Sequence, residues 1–197
     1  MSLVIIKIVG SVVMAISGFY IAKNLLNSKE KLLNINNLIS LVLIAIPICT
    51  LYEKKYSLLL VLFIYLAAII AFKRIFKISI EISILISSVF MLFTAGIDMI
   101  VSSLELSLFT YEEMRLSPIV SITNNIIIGV FSVYITNLRH FKEHFQRFCK
   151  VVDEDERLSK IIFTISTVFI MGILYYNITK FLISSLLIIL FLYRTTS

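Results

Sequence analysis

The chain has 197 residues, of which 59% are hydrophobic and only 15% charged, with a formal net charge of +6. Soluble globular domains are about half apolar and about a quarter charged, so this composition excludes one. It points to an all-α, polytopic helical membrane protein, whose cations set topology and meet anionic lipid without any need for nucleic acid.

In chain order, the first apolar segment covers residues 3–26. Its earliest cation, Lys7, lies inside the apolar run. A secretory signal would place charge ahead of the run, so the segment reads as a retained span, with a cleavable signal as the competing reading. Further spans are expected at 38–52, with Pro47 a kink near its end, at 56–72, at 78–104 and at 118–137, where Pro118 suits a first helical turn. Residues 161–193 would make a single helix about 50 Å long, well beyond a hydrocarbon core of roughly 30 Å. They are read as two short spans, 161–177 and 181–193, with one tilted span and a helical extension as the alternative. Six to seven transmembrane helices are therefore expected, in a single domain over 1–197.

Between the fifth and sixth spans lies the longest polar interruption, RHFKEHFQRFCKVVDEDERLSK over 139–160. Phe141, Phe145, Phe148 and Val152 recur at helical spacing. Arg139, Lys142, Arg147 and Lys150 fall mostly on other faces. Such a stripe suits an amphipathic helix over 138–152 at a membrane surface. With the N-terminus outside, thirteen of the 18 Lys and Arg residues fall on the inner side. These are Lys23, Lys29, Lys31, Lys73, Arg74, Lys77, Arg139, Lys142, Arg147, Lys150, Arg157, Lys160 and Arg194. This positive-inside bias makes the amphipathic helix cytoplasmic.

Ionisable groups within spans are costly and need partners. Glu81 follows Lys77 by four residues, the spacing of a helical ion pair. Asp98 and Lys7 should lie at similar depth near the outer surface, and a Lys7–Asp98 pair across the bundle would offset both desolvation costs. Asn124 and Asn125 can bond between helices or line a pocket.

Catalytic signals are sparse. His140 and His144 stand one turn apart, a spacing that can hold a metal, but no third ligand is near, and HFKEH is not HExxH. Cys149 is five residues past His144, about 500° around a helix, which is poor for a Cys–His nucleophile. No CxxC and no glycine-rich phosphate loop occur, and Cys49 and Cys149 read as free thiols. Neither an enzyme nor a metal or other cofactor is expected.

The stretches KIVGSVVMAISGFYIAKNLLNSKEKLLNINN, FKRIFKISIEISILISSVFMLFTAGIDMIVSSL and RFCKVVDEDERLSKIIFTISTVFIMGILYYNI resemble the membrane sensor portion of clostridial Agr-type histidine kinases. Those are peptide-sensing receptors of the GHKL superfamily, and the likeness extends over nearly all of the chain. The resemblance implies a quorum-sensing, two-component receptor module in a bacterial cytoplasmic membrane. It would bind an extracellular peptide and pass a helix shift inward. No phospho-acceptor or nucleotide-binding region lies within these residues, so the resemblance implies the sensor half alone. Tyr52, Glu53, Asp98, Glu105, Tyr111, Glu112, Glu113, Asn124 and Asn125 are the groups placed to meet the peptide. A homodimer and contact with membrane lipids are expected.

Two alternatives stand beside this one. An Agr-type membrane cysteine peptidase would want a glycine-flanked histidine shortly before its cysteine, and 139–160 holds no glycine. A small-molecule transport subunit would want helices broken by Gly or Pro at mid-membrane. The five glycines and two prolines here are scattered.

Overall fold

A computed structural model of the chain describes residues 3–51, 58–106, 118–169 and 171. Among the described residues every element is helical. These are α1 (Leu3–Leu26), α2 (Ile35–Leu51), α3 (Leu58–Phe76), α4 (Ile80–Leu106), α5 (Pro118–Asn137) and α6 (Arg139–Glu154), followed by α7 over 156–169. Three of them contain stretches long and apolar enough to cross a membrane: Lys7–Leu26, Leu59–Phe76 and Ile80–Leu104. The apolar stretches Ile35–Thr50 and Ile122–Asn137 are shorter.

The first five helices pack in sequence, and the ring closes between α1 and α5, the most extensive contact in the fold. α1 also reaches α3 and α4, so it leans into the middle of the bundle. Small residues make this possible. A methyl group on Gly129 of α5 would overlap the Ser17 hydroxyl of α1, so the two backbones approach closely there. One residue on, Gly18 faces Phe90 and Phe72, where an added Cβ would lie 3.1 Å from the Phe90 ring.

Serine and threonine are spread through these apolar helices without disturbing them. Ser11, Ser17, Ser83, Ser88, Ser132 and Thr136 each donate to the carbonyl four residues back. A hydroxyl satisfied in this way behaves as a small packing group. The core is otherwise apolar, built from Phe19, Ile21 and Leu25 of α1, Ile44 of α2, Phe72 of α3, and Ile86 and Phe90 of α4. Phe72 meets Phe90 edge to face at 6.1 Å, and Phe19 stacks on Phe76 at 5.6 Å.

Helix ends are fixed by local chemistry. α1 ends at Asn27, whose φ of 52° places it in the left-handed region. Ser28 N–H then donates to the Lys23 carbonyl at 3.1 Å, a Schellman closure. α2 starts on Asn34, whose Oδ1 accepts from Asn36 N–H, and it continues past Pro47 to Leu51. α3 runs through Lys73 and Arg74, which do not stop it, and ends before Lys77, also at φ 52°.

Candidate functional site

The outward groups anticipated from the sequence are only partly within the described residues. Tyr52, Glu53, Tyr111, Glu112 and Glu113 lie outside them, and Glu105 falls in the last turn of α4. Asp98 is half-buried on α4, where the Ser102 hydroxyl donates to its Oδ1 at 3.4 Å. Lys7 is half-buried on α1, Asn124 half-buried on α5, and Asn125 buried. None of Lys7, Asp98, Asn124 and Asn125 is without a partner. They sit on α1, α4 and α5, three helices in mutual contact.

Lys77 and Glu81 are not brought together as an ion pair. Their spacing presumes one continuous helix, but left-handed Lys77 stands in the turn between α3 and α4. Glu81 instead lines a shallow cleft of about 400 Å³ with Ile80, Ser159, Lys160, Phe163 and Thr164, between the first turns of α4 and α7.

The most built-up part of the molecule is the docking of α6 against the end of α1 and the first half of α4. Cys149 and Val152 are buried, Phe141 and Phe145 are half-buried against the core, and Phe148 is exposed. Most of the apolar stripe therefore covers protein. Phe141 meets Phe93 edge to face at 5.3 Å, while Asp153 accepts from the Ser79 hydroxyl at 3.3 Å. Those two contacts lie roughly 20 Å apart along α4. Gln146 donates to the Leu25 carbonyl at 3.0 Å, and Lys142 donates to Asn27 Oδ1 at 2.9 Å. Leu25 is among the last carbonyls of α1, which its own helix cannot satisfy. A cation there also complements the negative end of the helix dipole.

The outer face of α6 is charged. Arg139 and Glu143 pair at 2.7 Å, which holds the Glu143 carboxyl below its usual range. His140, His144, Arg147 and Lys150 are exposed. The Cys149 thiol is in a different state: burial, with Asp153 adding repulsion, pushes it up to about 12. A thiol so held stays protonated at neutral pH. Among the described residues no group of three His, Cys, Asp or Glu side chains is placed to hold a metal.

α6 is joined to its neighbours by single residues. Leu138 separates it from α5, with φ −58° and ψ 129°. Asp155 separates it from α7 and serves both helices. Its N–H completes the last turn of α6 on the Val151 carbonyl. Its Oδ1 accepts from the N–H groups of Arg157 and Leu158 at the start of α7.

A hydroxyl cluster that the sequence reading missed attaches α7. Tyr65 of α3 is buried, and its hydroxyl lies 3.0 Å from Ser88 Oγ of α4 and 3.2 Å from Ser166 Oγ of α7. Phe169 stands edge-on to the Tyr65 ring, and Ile162 packs nearby against Ile84 and Ile69. The rest of α7 is largely exposed, including Ile161, Phe163, Ile165 and Val168. The available signal was a tyrosine inside an apolar span, where a buried O–H requires a partner. Which partner it takes depends on helix packing.

No family model matches the chain, and neither a curated protein nor a solved structure matches it.

Proposed function

We propose that the chain is a membrane-embedded sensor module that binds an extracellular peptide signal and passes a helix shift to the cytoplasmic side. In this reading six to seven spans cross a bacterial cytoplasmic membrane with the N-terminus outside, and the module works as a homodimer in a two-component system. The supporting observation is the α5–α6–α7 linkage. Two one-residue joints, at Leu138 and Asp155, flank an amphipathic helix docked on α1 and α4. A displacement of α5 against α1 would be carried through α6 to α7, which the Tyr65 hydroxyl holds to α3 and α4. A ligand drives such a shift only through different affinities for the two arrangements. The outer residues of α1, α4 and α5, including Asp98 and Asn125, are where that difference would arise.

The test is saturable binding. The purified chain in lipid nanodiscs is titrated with peptide fractions from the culture medium of its own organism. A fraction that binds saturably, and loses affinity with Asp98→Asn, is the expected result; no saturable binding by any fraction removes the proposal. Sidedness is tested separately with Lys150→Cys, because Lys150 is exposed and Cys149 is not. A membrane-impermeant thiol reagent should leave it unlabelled in intact cells. The peptidase alternative needs an ionisable nucleophile, and a buried thiol raised to about 12 is poorly suited to that role.

A further inference from the structure

We infer that the turn between α1 and α2 is a binding site for the headgroup of an anionic phospholipid of the inner leaflet. This goes beyond the sensor reading; it rests on the topology of that reading for the choice of leaflet and is independent of peptide binding.

The turn encloses an open cleft of about 450 Å³ lined by Ser28, Lys29, Glu30, Lys31, Leu33 and Asn34. Lys29 and Lys31 are both exposed. The one acid in the lining, Glu30, is drawn aside by Asn37, whose Nδ2 donates to Glu30 Oε2 at 3.4 Å and to the Lys31 carbonyl at 2.9 Å. Next in the chain to Ser28, Asn27 accepts from a third cation, Lys142 of α6. The cleft therefore offers ammonium groups and a serine hydroxyl to a phosphate, with its carboxylate turned toward an amide.

The apolar side of the site distinguishes a lipid from a soluble anion. Leu33 is 85% exposed and Ile35 is 70% exposed, directly beside the cationic cleft. The exposed surface then continues along α2 through Leu38, Ile39, Val42 and Ile46. That spacing is one helical stripe, running from the cleft along the helix. A headgroup over Lys29 and Lys31 would lay its acyl chains on this stripe, and each element of the amphiphile would meet matching chemistry.

The full-length chain is reconstituted in nanodiscs of phosphatidylcholine with a minor fraction of phosphatidylglycerol, and lipid retained on release into the gas phase is counted by mass spectrometry. Phosphatidylglycerol should be retained over phosphatidylcholine. The double variant Lys29→Gln/Lys31→Gln should lower that preference at least fivefold. The variant Lys73→Gln/Arg74→Gln removes equal charge from the exposed last turn of α3 and should leave the preference within a factor of two. Equal losses in both variants would mean general attraction to basic loops and would overturn the site. Displacement of the lipid by millimolar glycerol phosphate would assign the cleft to a soluble anion and also overturn it. Helical content and monodispersity of each variant confirm folding, since all four side chains are exposed.

Discussion

Removing the Tyr65 hydroxyl tests how α7 is held. In Tyr65→Phe the ring and its edge-on contact with Phe169 remain, and only the bonds to Ser88 and Ser166 are lost. Hydroxyl bonds between membrane helices average about 0.6 kcal/mol and reach about 1.7 kcal/mol. Since 1.4 kcal/mol is tenfold in an equilibrium, the undocked population of α7 should rise about three- to twentyfold. Ser166→Ala should act similarly, because it removes the bond between Tyr65 and α7. Ser88→Ala should not, because that bond ties α3 to α4. The assay is a spin-label pair at Phe63→Cys and Val168→Cys, both exposed positions, with Cys49 and Cys149 replaced, read as a distance distribution in nanodiscs. The double variant Tyr65→Phe/Ser166→Ala should be no worse than either single one for α7. Additive single effects, or an unchanged distribution in Tyr65→Phe, would refute the claim that this contact holds the helix.

Other outcomes follow from the packing and the caps. Gly129→Ala should cost about 1–3 kcal/mol by overpacking against Ser17, with recovery in Gly129→Ala/Ser17→Gly, read as thermal unfolding in detergent. Gly96→Ala, where nothing lies within 4 Å of the added carbon, should be neutral or slightly stabilising. Asp155→Ala should cost about 1 kcal/mol by uncapping α7, and Asp155→Asn should retain most of that. Cys149 should alkylate about three orders of magnitude more slowly at pH 7.5 than an ordinary thiol of pKa about 8.5. Phe141→Ala, which loosens α6, should accelerate it. Because folding raises this pKa, the native state holds its proton after the unfolded thiol has lost it. Stability is therefore full below about pH 8.5 and falls as pH rises toward 12, and Cys149→Ser should flatten that slope in chemical unfolding.

What the sequence conveyed was decided by how local each signal is. Apolar runs located the helices well: α1 and α5 have the bounds expected from hydropathy, 3–26 and 118–137. The helix of the third segment runs to Phe76, four residues past the apolar run that ends at 72, through Lys73 and Arg74. Cations are good helix formers, and the chain turns only where Lys77 enters the left-handed region. The expected Lys77–Glu81 pair failed for the same reason, since spacing has meaning only inside one helix. The helix that carries the segment from 161 begins at 156, because Asp155 can cap a helix whose first turn is polar.

α6 marks the deeper limit. Its periodicity announced one apolar face, and a stripe of Phe beside cations is equally suited to lipid or to protein. The decision rests on groups distant in sequence: an unsatisfied Leu25 carbonyl that Gln146 can reach, a Phe93 ring for Phe141, and space for Cys149 in the core. Phe148 has no place in that interface and remains exposed. The stripe is thus divided. Phe141, Phe145 and Cys149 fix α6 to the bundle, while Phe148 is exposed like Arg147 and Lys150. A charged substitution at Phe148 should leave thermal unfolding in detergent nearly unchanged, whereas the same change at buried Val152 should lower the unfolding temperature clearly.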